Sequence, residues 1–218
     1  MSVEKGAGVA MFDFIEDLDA YFCKRYASYD KICMLKGYQM PKRQTSEVRN
    51  GKTYAYTLPK ENLSLDFQEN KAQMLVELKE KLLDKTFSFT FHTVGLWQKW
   101  KYRQFFNSAK QTLVNTLQKY KVTSADIQEG LEIDEFVWEN IVKGKFMPTK
   151  NLLFSLALTA QFSVEDTERL LDAFDYSFDY AQAKDVVVRY LLEQKVHNAE
   201  MRAAALKEYK IAHLFLKS

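Results

Sequence analysis

Residues 122–148 read VTSADIQEGLEIDEFVWENIVKGKFMP, and the spacing of their apolar side chains decides the fold of the second half of the chain. Thr123 or Ser124 offers a hydroxyl that accepts from an unpaired first-turn amide, and Asp126 puts negative charge where the helix dipole favours it. Ile127 and Leu131, four apart, share one face. Ile133 follows after a two-residue step, too short for continued helix and suited to a tight turn. Asp134 caps a second helix that buries Val137 or Trp138 together with Ile141 and stops at Gly144, with Pro148 preventing early resumption. Upstream, AKQTLVNTLQKY buries Leu113, Val114 and Leu117. Downstream, NLLFSLALTAQF places Leu152, Leu153, Leu156 and Ala160 at helical spacing, and SVEDTERLLDAF repeats the pattern behind a Ser163 cap. Five short helices are expected.

This order resembles the lambda-repressor-like, or Xre-type, helix-turn-helix domain over roughly Ser108 to Tyr176. Ile127 and Leu131 fall at the core positions of that family's second helix, Ile133 at the apolar residue after its turn, and Trp138 and Ile141 at the core of its recognition helix. Gly144-Lys145 followed by Pro148 is similar to the family's closing segment, and LALTAQFSVEDTERLL to its fourth and fifth helices. The likeness extends to a longer bacterial version through Asp175-Tyr176-Ser177, the helix led by Lys184-Asp185, and Ala205 to Tyr209, ending in the apolar tail Ala212 to Leu216. The chain departs from the pattern at Glu132, where the family has Gly, and at Gln128, where it has a small Ala. Both departures predict a distorted turn.

The resemblance implies a DNA-reading surface, and charge argues against that use. The recognition helix would present Asp134, Glu135, Glu139 and Asn140 around Val137, and the preceding helix Asp126, Gln128 and Glu129. DNA affinity rests on phosphate contacts from Lys, Arg and backbone amides, and base reading leans on Arg, Lys, Asn and Gln. Ala109 to Lys150 holds six Lys against six Asp or Glu, and Asn151 to Ser218 eight basic against ten acidic residues. A DNA-binding domain is ordinarily clearly basic.

The first half differs. Met1 to Ser108 carries seventeen basic and thirteen acidic residues. FDFIEDLDAYFCKRYASYDKICML reads as an amphipathic helix with Phe14, Leu18, Tyr21 and Phe22 on one side, interrupted by Gly37 to Pro41. Asn50-Gly51 followed by Thr53, Tyr54 and Tyr56 marks a short hairpin. LSLDFQENKAQMLVELKEKLLDK is a helix in which Glu77 and Lys81 can pair across one turn. TFSFTFHT alternates Phe87, Phe89 and Phe91 with small polar residues, the period of a half-buried strand, for which Tyr54 to Thr57 is the first candidate partner.

VGLWQKWKYRQFF concentrates basic and aromatic side chains. Trp97, Lys99, Trp100, Lys101, Tyr102, Arg103 and Phe106 suit a membrane surface or a nucleic-acid strand. The simpler reading is a core-facing stripe at 97, 100 and 105 or 106 on the helix leading into the bundle, with a solvated charged face. No flexible linker separates the halves, so residues 1–107 and 108–218 are expected to pack together as a basic, aromatic α+β region and a helix-turn-helix-like helical domain with a C-terminal extension.

Composition bounds the rest. Of 218 residues 47% are hydrophobic and 14% aromatic, at a net charge of +2, so disorder is expected only in MSVEKGAGVA and the loop Met40 to Lys52. No apolar run reaches the roughly 20 residues that span a bilayer, and no signal peptide is evident, which predicts a cytoplasmic protein. Cys23 and Cys33 fit neither a zinc site nor a redox pair and read as small hydrophobes. Seven scattered glycines assemble no phosphate-cradling loop. His92, His197 and His213 lie far apart, and only His92 sits where a strand aims it at a pocket. A Cys–His pair with His92 lacks local oxyanion donors. Asp172, Asp175, Asp179 and Asp185 have the wrong spacing for a calcium loop and read as a solvated acidic rim.

The expectation is therefore a mainly α protein: a lambda-repressor-like five-helix bundle with extra C-terminal helices, and an N-terminal helical region with a small β hairpin or sheet. Functionally it is a non-catalytic regulatory or adaptor protein with no cofactor, metal or small-molecule substrate, engaging a protein partner or a second copy. The alternatives are a DNA-binding regulator and a peripheral membrane protein. The apolar end HLFLKS is either a docking or dimer strand or a chain end folded back on its own core.

Overall fold

The computed structural model describes residues 3–27, 44–49, 52–57, 71–84, 91–95, 103–212 and 214–217. Their elements in chain order are α1 (Val3–Arg25), β1 (Gln44–Arg49), β2 (Lys52–Thr57), α2 (Lys71–Lys81), α3 (Arg103–Lys119), α4 (Ser124–Gly130), α5 (Glu135–Val142), α6 (Lys150–Thr159), α7 (Val164–Ala173), α8 (Ala183–Glu193) and α9 (Ala199–Glu208). The protein is mainly helical, with a two-stranded antiparallel sheet. The five helices expected from the sequence are α3 to α7.

At the centre lies α6, in which every residue from Asn151 to Leu158 is buried. A helix apolar on all sides has to be wrapped by others, and α7 and α8 pack against it. α3 packs on α7 and α5, while α1 packs on α8, α9 and α2. Phe14, Leu18 and Phe22 of α1, Met74, Leu75 and Leu78 of α2, and Val186 to Val188 of α8 belong to one contiguous core. The two regions thus pack together, as the lack of a linker predicts. Polar ties fix the seam: buried Lys79 of α2 lies 2.7 Å from Asp19 of α1 and 2.7 Å from Glu208 of α9, and the Tyr209 hydroxyl donates to Asp19 at 2.7 Å.

Helix starts follow local chemistry. Thr123, Asp134, Thr149, Ser163 and Asn198 each accept a first-turn amide through the side chain, as expected for Thr123, Asp134 and Ser163. Helix ends share a device that the glycine and proline positions do not reveal. Lys121, Gln161, Asp175, Lys195 and Lys210 adopt left-handed backbone with φ of 50 to 61°. The residue after each donates its amide to the carbonyl five before it: Val122 to Leu117, Phe162 to Ala157, Tyr176 to Leu171, Val196 to Leu191 and Ile211 to Leu206. Each pair is apolar, which closes the helix end with a hydrophobic contact. Gly144 at φ 70° does the same for α5, with Lys145 donating to Asn140.

Several expectations are corrected. The backbone of Val3–Ala10 is helical, part of α1, and Gln44–Arg49 forms a strand, where composition suggested no regular element. β2 pairs with β1, Arg49 opposite Lys52 and Gln44 opposite Thr57, which makes the hairpin expected around residues 50–51. Of the phenylalanine strand, residues 85–90 lie outside the described residues. Its continuation does not join β2: Thr93 bridges Phe146, because the chain leaving α5 offers free backbone groups there. Asp185 is not on a solvated rim but 3% exposed. It accepts from Lys150 and, at 2.6 Å, from the Asp179 amide, while burial pushes its carboxyl above the usual range. Asp172, Asp175 and Asp179 are exposed. Of the two positions the stripe allows on α3, Phe105 is 40% exposed and Phe106 is half-buried, so Phe106 is the inward one.

A non-glycine residue in left-handed backbone carries a steric cost that glycine does not. Replacing Lys121, Gln161 or Lys195 singly by Gly is expected to raise stability by roughly 0.5–1 kcal/mol each, read as a higher urea midpoint with unchanged slope.

Candidate functional site on the outward face of the fifth helix

The α4–turn–α5 unit is built as its sequence dictates. Ile127 and Leu131 are 1% and 0% exposed, and Trp138 and Ile141 are buried with them. The Thr123 hydroxyl and amide both donate to Asp126 at 2.7 Å, while the Asp126 amide donates to the Thr123 hydroxyl at 3.2 Å. This closes a capping box. Asp134 accepts the Val137 amide at 3.2 Å.

The turn itself is finished by the chain end. Glu132 donates its amide to the Phe215 carbonyl at 2.8 Å, and Lys217 donates to the Gly130 carbonyl at 3.0 Å, making an antiparallel bridge of Leu131 with Leu216. Phe215 is buried and donates its own amide to the Ser155 hydroxyl of α6 at 2.8 Å. The apolar tail thus folds back on its own core. On the other side of α5, Val94 donates to the Lys145 carbonyl at 2.9 Å and Met147 to the His92 carbonyl at 3.1 Å. Gln128 is half-buried, its side-chain nitrogen has no hydrogen-bond partner among the described residues, and its backbone carbonyl accepts from Lys217. Gly130 has a reason to be Gly: a Cβ there would lie 2.4 Å from the Thr159 methyl of α6.

The outward face of α5 is acidic and carries one large apolar group. Asp134, Glu135 and Glu139 are exposed, with Glu132 beside them in the turn, and Val137 is half-buried. Asn140 does not belong to this face. It is 6% exposed, its side-chain nitrogen donates to the Phe136 carbonyl at 2.7 Å, and its carbonyl receives the amides of Lys145 and Phe146, because the chain leaving α5 folds back over it. In its place stands Phe136, 67% exposed, touching only the edge of Phe146 at 6.3 Å among the described rings. At about 100° per residue, position 136 points well away from Trp138 and Ile141, so an aromatic on the polar face of an amphipathic helix was the readable signal.

Lys143, one turn beyond Glu139, lies 2.5 Å from it, and its hydrogen bond and charge hold the Glu139 carboxyl below the usual range. The Thr123 hydrogen bonds do the same for Asp126. Behind the unit, burial pushes the Asp166 carboxyl up, but hydrogen bonds from Lys119, Tyr120 and Ser163 outweigh it and hold the group low.

Of the basic, aromatic segment, Trp97, Lys99, Trp100 and Lys101 lie outside the described residues, and Arg103 opens α3 with its side chain outside them. His92 and His197 are exposed, and Cys23 is half-buried; His213 and Cys33 are outside the described residues. Among the described residues no group of three or more His, Cys, Asp or Glu is placed to hold a metal ion. No described helix is long and apolar enough to cross a membrane. Among the described residues a cleft of about 600 Å³ is lined by Gln161, Ser163, Glu165, Arg189, Glu193, Lys195 and His197 together with apolar residues, and its Arg189 is tied to Glu168 and Glu193. Comparison with protein-family models, with curated proteins and with solved structures finds no match to this chain.

Two outcomes follow from this geometry. Gly130→Ala should cost about 1–3 kcal/mol by overpacking, and adding Thr159→Ser, which removes the clashing methyl, should recover most of that in a double-mutant cycle by chemical denaturation. Because Asp126, Glu139 and Asp166 all titrate below their ordinary values when folded, the stability they contribute is complete above the unfolded values, about 3.9 for Asp and 4.3 for Glu, and is lost as pH falls through the folded ones. Asp126→Asn with Asp166→Asn should flatten the fall in thermal midpoint below about pH 4, with little change in its slope near neutrality.

Proposed function

We propose that this chain is a non-catalytic regulatory or adaptor protein of the bacterial cytoplasm, in which an Xre-like helix-turn-helix scaffold recognises a protein rather than DNA. What supports the reading is the face of α5: Asp134, Glu135 and Glu139 stand exposed around Phe136, where a DNA reader places cations and amides. Phosphates approaching Asp134, Glu135 and Glu139 would meet like charge at short range, and Lys143 is already engaged with Glu139. The second half of the chain, with eight basic and ten acidic residues after Lys150, supplies no compensating field.

A salt titration with duplex DNA tests this. The full chain is expected to leave a labelled duplex unbound at ~50 mM salt, whereas a DNA-binding regulator binds there and loses affinity steeply by ~200 mM. Binding of that second kind overturns the adaptor reading.

A further inference from the structure

We propose that the outward face of α5 is a preformed docking site for a lysine- and arginine-rich amphipathic segment of a partner protein, with Phe136 as the anchor that enters the partner's apolar surface. The inference rests on the adaptor reading and gives its partner a chemistry.

Phe136 is 67% exposed on a helix of eight residues whose inward face is already filled by Trp138 and Ile141, so the ring adds nothing to the core. Exposed aromatics with few rotamers are the side chains that dominate protein–protein hot spots, once ringed by groups that exclude water. Glu132, Asp134, Glu135 and Glu139, all exposed, precede and follow Phe136 on the same turn and helix, Glu139 one helical turn on from it. That rim repels anionic surfaces and attracts cationic ones, so charge selects the partner and sets its approach rate. The face is also rigid before binding. Its start is capped by Asp134, its end is fixed by Gly144, its exit chain is paired with residues 92–94, and its turn is paired with the chain end. A partner therefore spends little on ordering it.

The test uses the full chain and a defined probe, a fluorescently labelled amphipathic helical peptide of leucine and lysine, against the same peptide with glutamate for lysine. The lysine peptide is expected to bind, with binding weakened at least tenfold by Phe136→Ser and separately by Glu135→Lys with Glu139→Lys, while Asp172→Lys with Asp175→Lys, on the exposed loop end of α7, leaves it unchanged. Amide chemical shifts should move at Glu135, Phe136 and Glu139 in the wild type. All substituted positions are exposed, and unchanged circular dichroism shows that the variants fold. No binding, or equal loss in the α5 and α7 variants, overturns the docking face while leaving the adaptor reading standing. DNA binding in the salt titration overturns the adaptor reading itself, whatever the peptide does.

Discussion

The Gly130 carbonyl at the end of α4 and the Glu132 amide in the turn that follows have no partner within the helices, and the geometry of the outward face depends on how they are satisfied. Buried or half-buried backbone groups must be paired, and the chain end pairs both, through Phe215 and Lys217. The attachment is directional and apolar together. Three hydrogen bonds, including that of Phe215 to Ser155, contribute about 0.5–1.5 kcal/mol each, and burial of the Phe215 side chain adds roughly 1.5–3 kcal/mol. The two terms are of similar size, so neither register nor docking can be lost without the other. Since Ser155 sits on the central helix α6, the turn is referenced to the middle of the core rather than to the surface.

The same logic operates on the opposite side. Residues 92–94 pair with 145–147, so the first half of the chain clamps the exit of α5 as the last residues clamp its entry. The seam between halves is held by Lys79, whose ammonium satisfies Asp19 and Glu208 at once and lies 4.7 Å from the centre of the Tyr209 ring. A partly buried pair of carboxylates around one ammonium specifies an arrangement more than it stabilises one. Here it fixes how α1, α2 and α9 meet.

How much of this was legible in the sequence depends on the range of the interaction. Starts of α4, α5 and α7 were readable because a cap acts over three residues, and the inward positions Ile127, Leu131, Trp138 and Ile141 because helical periodicity acts over one turn. Helix ends were less readable. Lys121, Gln161, Asp175, Lys195 and Lys210 occupy left-handed backbone where glycine is the usual sign, and the informative mark was instead an apolar pair five residues apart. The burial of Asp185, the pairing of Thr93 with Phe146 and the seat of Phe215 depend on segments tens of residues distant, and the burial of Asn140 on a chain reversal at 145–146 that periodicity does not encode. Periodicity puts position 140 near the outer face; only the returning chain covers it. Phe136 is legible, since an aromatic among outward acids is visible in the pattern itself.

What remains is to ask which features of α5 the fold already explains. Asp134 and Glu135 sit at the start of a helix, where a cap and the dipole favour negative charge by about 0.3–2 kcal/mol, so stability alone would retain them. Glu139 is matched to Lys143 at the spacing that supports a helix. The acidity of the helix is therefore partly a consequence of making a short helix stable, and taken singly it excludes a use more than it assigns one. Phe136 has no such account. It fills no core position, caps nothing, and exposes a large apolar ring to water at a site where a polar residue would serve the helix equally well. The residue that stability does not require is the one on which the proposed recognition turns, and the carboxylates that stability does require would decide what kind of surface it meets.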